Sequence, residues 1–169
     1  MPFQIETSEG KTVYIRNGEQ QDREWIVDIL TSSWASTKVV SRGVLHRADK
    51  LPGLIAIEGE DRVGLLTYHI IASDFEIVTL NALKIREHIG TNLVLRAEEI
   101  ARSKQCNRIW VITTNDNKVA LEFYQKLGFK IKAVHTDAIK RSRLLKPEIP
   151  LLGIDGVPIR DEIELEKKL

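Results

Sequence analysis

The sequence is short of most features that would send it toward a specialised class. One cysteine, Cys106, in 169 residues leaves no internal disulfide to form, so a reducing, cytoplasmic compartment is expected. No apolar stretch approaches the ~20 residues that a membrane-spanning helix needs, and the N-terminal residues lack the basic-then-apolar run of a signal peptide. Charge of one sign is missing too. Lys+Arg 25 against Asp+Glu 24 gives a net charge of +1, without the basic excess that tracks nucleic acid or an anionic membrane, and neither partner is expected. The four histidines (His46, His69, His88, His135) are scattered, with no metal-ligand spacing to Cys106 or to a carboxylate pair, so no metal is expected. Internal repeats and low-complexity tracts are absent.

What is present is an ordinary globular composition, 43% hydrophobic and 29% charged, in a chain long enough for one domain over residues 1–169. Residues 12–16 alternate and are rich in β-branched side chains, which predicts a strand broken by Asn17 and Gly18. Trp25, Ile26, Ile29, Leu30 and Trp34 recur at helical spacing and predict an amphipathic helix over about 19–34. Residues 35–50 carry no clear period. Three strand-like runs follow, Leu54–Glu58, Val63–Ile71 and Phe75–Leu83, joined by short turns at 59–61 and 73–74, and they predict an antiparallel meander.

The period then changes. Ile89, Leu93, Ala97, Ile100 and Ala101 share one helical face. Arg108–Thr113 reads as a strand, and a second helix covers about 117–127, with Gly128 at the C-cap position. Asn115, Asp116 and Asn117 offer N-cap side chains at that helix's start. Phe129–Val134 reads as a strand, Asp137–Leu145 as a short basic helix, and Ile159–Leu165 as a closing strand with Ile163 and Leu165 inward. The sum is an α/β (α+β) domain with a mixed, mostly antiparallel sheet flanked by helices.

Two segments carry a family resemblance. In residues 114–129, Asn117, Ala120, Tyr124 and Leu127-Gly128-Phe129 stand at the spacing that marks the Gcn5-related N-acetyltransferase (GNAT) family. Residues 86–93, ending in His88-Ile89-Gly90-Thr91-Asn92-Leu93, resemble its pyrophosphate loop. There His88 replaces a family glycine, Ile85 stands where Gln or Arg is usual, and Arg86 is displaced by one residue. The likeness extends in element order over roughly 10–136, its motifs lie in 76–129, and 137–169 form a C-terminal extension.

The resemblance implies acetyl-CoA as co-substrate, an acetyl transfer to a primary amine, and an acceptor that is a small-molecule amine or a peptide N-terminus, with a homodimer among the assemblies it allows. A catalytically weak CoA-binding module for sensing or assembly is the alternative. Physically, the loop that opens the helix at Ile89 presents backbone N–H groups and the positive end of a helix dipole, a suitable diphosphate site. Arg86, His88, Ile89, Gly90, Thr91 and Asn92 are its candidates, and the resemblance adds the backbone of Ala82 and Leu83 toward the pantetheine amides.

Asn117 either caps its helix or holds the pantetheine arm. Tyr124 resembles the family's general acid toward the leaving thiolate, against the plain reading of a packed core tyrosine. Glu76, a carboxylate on an apolar strand face, is either a solvated strand end or the base that deprotonates the amine. Trp34, Arg42 and Tyr68 are candidates for the acceptor pocket, with core packing as the other reading for the two aromatics. Lys140, Arg141, Arg143 and Lys146 read as a solvated basic face, Asp161 as an inward charge of the last strand, and Cys106 as an inert thiol.

Overall fold

The computed structural model describes residues 3–7, 9–84 and 88–169. Strand β1 (Phe3–Glu6) pairs with β2 (Thr12–Asn17), and a single 3-10 turn leads into α1 (Arg23–Trp34). Then come a hairpin of β3 (Lys38–Ser41) and β4 (Val44–Arg47), the meander β5 (Gly53–Glu58), β6 (Asp61–Ile71) and β7 (Asp74–Ala82), and the helix α2 (Ile89–Ser103). The chain continues through β8 (Arg108–Thr114), α3 (Lys118–Lys126), β9 (Lys130–His135), α4 (Ala138–Leu145) and β10 (Glu162–Lys168). The main sheet runs β1-β2-β5-β6-β7-β8-β10-β9, and among the described residues only β7 and β8 pair in parallel. That one parallel step needs a crossover, and α2 supplies it. No described helix is long and apolar enough to cross a membrane.

The expected meander and the strand–helix–strand–helix–strand centre are both observed. Four boundaries differ. Strand β1 was not expected, and α1 begins at Arg23 because Gln20–Asp22 form the 3-10 turn. The unassigned stretch 35–50 holds the β3–β4 hairpin, turned by Arg42 and Gly43, both at positive φ (50° and 74°). The last strand starts at Glu162, three residues later than expected, so Asp161 lies before it. The Asp161 carboxylate accepts the backbone N–H of Asp137 at 2.9 Å and is not an inward-facing charge.

Each sheet face has its own core. On one face α2 and α3 cover Val13, Ile15, Leu54, Leu66, Phe75, Ile77 and Leu165; on the other α1 covers Ile55 and Leu65 with Leu30. The start of α1 is tied to the sheet by Asp22, which is 0% exposed and accepts from Arg16 at 2.7 Å and Arg62 at 2.9 Å. These guanidiniums hold its carboxyl well below the usual carboxylate range. The crossover helix sits closest to the sheet at Gly64, where a Cβ would lie 2.7 Å from Ile89 Cγ2 and 3.0 Å from Leu93 Cδ1. Gly64→Val therefore has to push α2 off the sheet. We expect a loss of roughly 1–3 kcal/mol, seen in thermal unfolding as about 2–4 °C for each kcal/mol.

Candidate functional site

Parallel pairing of β7 with β8 runs only from Asp74↔Arg108 to Ile77↔Val111. Beyond it both strands continue, to Ala82 and Thr114, without further pairs to each other. On its other side β7 carries a bulge: Thr67 faces Thr79 and Tyr68 faces Ile77, which leaves Val78 as the extra residue. A bulge bends and further twists its strand, so β7 turns away from β8. The result is a gap through the sheet. A cavity of about 140 Å³ on the α3 side is lined by Val78, Leu80, Asn117, Phe123 and Tyr124. A second of about 120 Å³ on the hairpin side is lined by Ser41, Glu76, Val78, Asn117 and Glu162. They share Ile77, Val78, Ile112, Thr113, Asn117 and Trp34 as common walls. A third, about 390 Å³, extends outward from Trp34 past Val39, Val40, Ile139 and Lys146.

The first turn of α2 lies at the end of β7. His88 precedes it in the left-handed region (φ 58°), exposed and making no side-chain cap bond. Among the expected anion donors, Ile89, Gly90 and Thr91 occupy the first three helical positions, where backbone N–H groups have no intrahelical acceptor. Asn92 is a correction: its backbone N–H donates to His88 O at 3.0 Å and is used by the helix turn, and its Nδ2 donates to the same oxygen at 2.8 Å. Arg86, like Ile85 and Glu87, lies outside the described residues. Gly90 rests on α3, where an added Cβ would stand 3.5 Å from Phe123 Cζ.

Leu83 is a second correction, since its N–H donates to Val63 O at 2.9 Å and is used by the sheet. Alternation along an antiparallel ladder then turns the backbone groups of Leu80 and Ala82 away from β6, toward the gap.

Asn117 does cap α3, its Oδ1 accepting from Ala120 N at 3.1 Å. Tyr124 lies on the gap-facing side of α3 between Phe123 and Phe129, with ring centroids 5.0 and 5.3 Å away. Burial pushes its hydroxyl well above the ordinary tyrosine value, so it stays protonated at any physiological pH. Glu76 is 5% exposed, not a solvated strand end. One of its oxygens accepts the Ser41 hydroxyl, and the other lies 3.6 Å from His46 Nε2.

Of the acceptor candidates, Trp34 lies at the gap, where its Nε1 donates to Asn81 Oδ1 at 3.3 Å. Arg42 sits at the hairpin turn, with its N–H on Glu162 Oε2 at 3.0 Å and its side chain 3.6 Å from Glu164. Tyr68 is elsewhere: it stacks on Phe75 at 4.6 Å on the α2 face, away from the hairpin. The basic run divides as well. Lys140 and Arg141 are exposed as expected, but Arg143 donates to the carbonyls of Ile149, Pro150 and Ile159, and Lys146 is buried against Trp34 O. Cys106 is buried, and burial pushes its thiol up, in keeping with an inert role.

Sequence reasoning missed Glu162, His46 and Ser41. Glu162 is 2% exposed, and burial, with Glu76 adding repulsion, pushes its carboxyl up. Its signal was available: Glu162, Glu164 and Glu166 alternate with Ile163 and Leu165, which marks a closing strand with one charged face.

The sequence profile of the acetyltransferase (GNAT) family matches residues 23–129. The Bacillus subtilis protein YdhI is 38% identical over 146 residues, 86% of this chain and 91% of the relative. Another from the same organism, YxbD, is 36% identical over 151 residues, 89% and 95% of the two chains. Among solved structures, a Bacillus subtilis acetyltransferase in complex with CoA superposes with a TM-score of 0.67 at 22% identity, covering 92% of this chain and 97% of that one. A GNAT acetyltransferase from Elizabethkingia anophelis with acetyl-CoA bound gives 0.67 at 17%, covering 93% and 98%. The Escherichia coli ribosomal-protein-S18-alanine N-acetyltransferase gives 0.66 at 12%, covering 92% and 93%.

The raised Glu162 carboxyl has a measurable consequence. Folding favours its protonated form, so its contribution is most favourable at low pH and is lost as pH rises through the raised value. Glu162→Gln keeps an acceptor for the Arg42 N–H and removes the buried charge. We expect it to raise Tm at about pH 8 and to leave Tm unchanged near pH 4, where wild type is itself neutral; thermal scans at the two pH values check this.

Proposed function

Because this chain belongs to the GNAT acetyltransferase family, we propose that it moves the acetyl group of acetyl-CoA directly to a neutral primary amine, on a small molecule or a peptide N-terminus. The observation that carries this reading is the gap between β7 and β8, with an anion-suited helix end and Tyr124 on one side and Glu76 on the other. CoA or acetyl-CoA in the solved relatives supports the same co-substrate here.

In this reading the diphosphate lies against the N–H groups of Ile89, Gly90 and Thr91, with the helix dipole adding to its stabilisation. The pantetheine amides pair with the gap-facing backbone of Leu80 and Ala82, as a strand would. The thioester then sits between Tyr124 and Glu76. A primary amine is mostly ammonium near neutral pH and must lose a proton before it attacks. Glu76, its carboxylate oriented by the Ser41 hydroxyl, accepts that proton directly or through one water. The amine nitrogen bonds to the thioester carbon, and the carbon–sulfur bond breaks as the departing thiolate takes the Tyr124 proton. The excess proton of the acylated nitrogen passes back to the Tyr124 phenolate, leaving a neutral amide and free CoA thiol. Burial of Tyr124 keeps its own proton in place until the thiolate forms.

The wall beyond Trp34 is apolar through Val39, Val40, Ile139 and Ile149, and Glu162 adds a second carboxylate near the mouth. That combination suits an amine carried on an apolar body, with ammonium drawn to the carboxylates and the carbon frame to the apolar wall.

The reading is checked by acetyl-CoA-dependent release of thiol across a panel of primary amines. Tyr124→Phe is expected to lower kcat by about 10²-fold or more with little change in acetyl-CoA affinity. Full turnover in that variant would remove Tyr124 as the acid. For Glu76→Gln the rate should climb only as pH approaches the amine's own pKa, because the ammonium then deprotonates in solution. A pH–rate profile that overlays wild type would remove Glu76 as the base.

A further inference from the structure

Beside Glu76, under the β3–β4 hairpin, lies an arrangement that sequence spacing hides. His69 on β6 stands directly opposite Glu76 on β7, so their side chains share one face of the sheet. The β3–β4 hairpin folds over that face and brings His46 to the same point, with the two imidazole rings 5.1 Å apart and edge to face. One donor atom from each of His46, His69 and Glu76 lies within 4.8 Å of the others. We propose that these three residues form a binding site for a divalent transition-metal ion of borderline softness, with Zn²⁺ as the type.

Four features carry this. First, His46 is only 6% exposed, and its Nε2 is buried with no hydrogen-bond partner among the described residues. A buried polar nitrogen left unpaired is costly, and coordination satisfies it as well as a proton acceptor would. Second, Glu76 is already divided between two tasks. Its Oε1 accepts the Ser41 hydroxyl, which fixes the carboxylate, and its Oε2 faces His46 Nε2 at 3.6 Å. With metal–ligand bonds of about 2.0–2.2 Å, donor atoms around a tetrahedral ion stand about 3.4 Å apart. The His46–Glu76 pair is close to that spacing at 3.6 Å, and a donor atom of His69 lies within 4.8 Å of both.

Third, two imidazoles and one carboxylate select Zn²⁺, Co²⁺ and similar ions over Ca²⁺ or Mg²⁺, which prefer all-oxygen sets. The nearby Glu162 adds negative potential, while Arg42 and Arg108 are engaged by the carboxylates of β10. Fourth, the site is reachable. A cavity of about 400 Å³ lined by His69, Asp74, Glu76 and Trp110 reaches His69 and Glu76 from the β6–β7 turn, at the opposite end of β7 from the start of α2. Three protein ligands with an open fourth position is the usual form of an accessible zinc site.

An ion on Glu76 Oε2 would withdraw that oxygen from proton uptake, so loading the site is expected to slow transfer. The site itself does not rest on the transferase reading, and its test does not either. The full chain, stripped with a chelator, is titrated with Co²⁺ and followed by visible d–d absorption. Binding of one equivalent with the spectrum of a four- or five-coordinate nitrogen–oxygen site, displaced by Zn²⁺, is the expected result.

His69→Gln, at a partly exposed position that preserves folding, should weaken Co²⁺ binding by about 100-fold or more, since loss of even an outer-shell partner costs about 10–100-fold. His46→Gln should do the same, and His135→Gln, which pairs with Glu164 outside the cluster, should not. Absence of the d–d bands, or binding that survives both His69→Gln and His46→Gln, overturns the site. Metal binding in a chain without transferase activity would leave the site standing and remove only the transfer reading.

Discussion

Everything at the site depends on where β7 and β8 stop pairing. Four ladder positions, ending at Ile77 and Val111, hold the strands together, and then they part. A sheet that splits in its middle leaves backbone N–H and C=O groups facing a cavity, a state that a folded protein keeps only where something polar will meet them. The split has two local causes. The Val78 bulge adds twist on one strand, and the crossover through α2 obliges the parallel neighbour to return from the other end. The same crossover delivers a helix N-terminus to the end of β7, so the opening and its anion-attracting rim arise from one topological step.

The two mouths of the gap differ in electrostatic character. On the α3 side the walls are aromatic and the rim is a positive helix end. On the hairpin side, β7 presents Glu76 and β10, across β8, presents Glu162, Glu164 and Glu166 to one face, offset by Arg42, Arg108 and His135. In the proposed reading, a polyanionic co-substrate and a cationic acceptor enter by opposite sides and meet where the sheet is open. The carboxylates also repel one another, which is why burial and the charge of Glu76 both push Glu162 up.

Much of this was legible from residue order alone. The meander, the amphipathic face of α2 and the Asn117-to-Phe129 stretch all follow from periodicity and caps, and they fix which strands surround the gap. The hairpin over 38–47 was not legible. Its strands are four residues long, and only Ser41 and His46 are buried, so no apolar alternation marks them. Its contribution to the site was hidden for the same reason, since Ser41 and His46 act through a tertiary contact with Glu76 some thirty residues away. Tyr68 shows a different limit. Alternation assigns a side chain to one of two faces but does not say which face bears α2 and which the hairpin, and Tyr68 falls on the α2 side against Phe75. Leu83 and Asn92 were misread because backbone donors already used by the sheet or the helix turn look no different in sequence from free ones.

The β3–β4 hairpin is joined to the rest of the fold by few bonds: it forms its own two-stranded sheet, and its tip is anchored by Arg42 on β10. The residues proposed to face acetyl-CoA lie on other elements. Change in the length or composition of this one ornament would therefore remodel the chamber for the second reactant while the cofactor half kept its geometry. In the proposed reading, such an architecture separates the choice of acceptor from the hold on the donor.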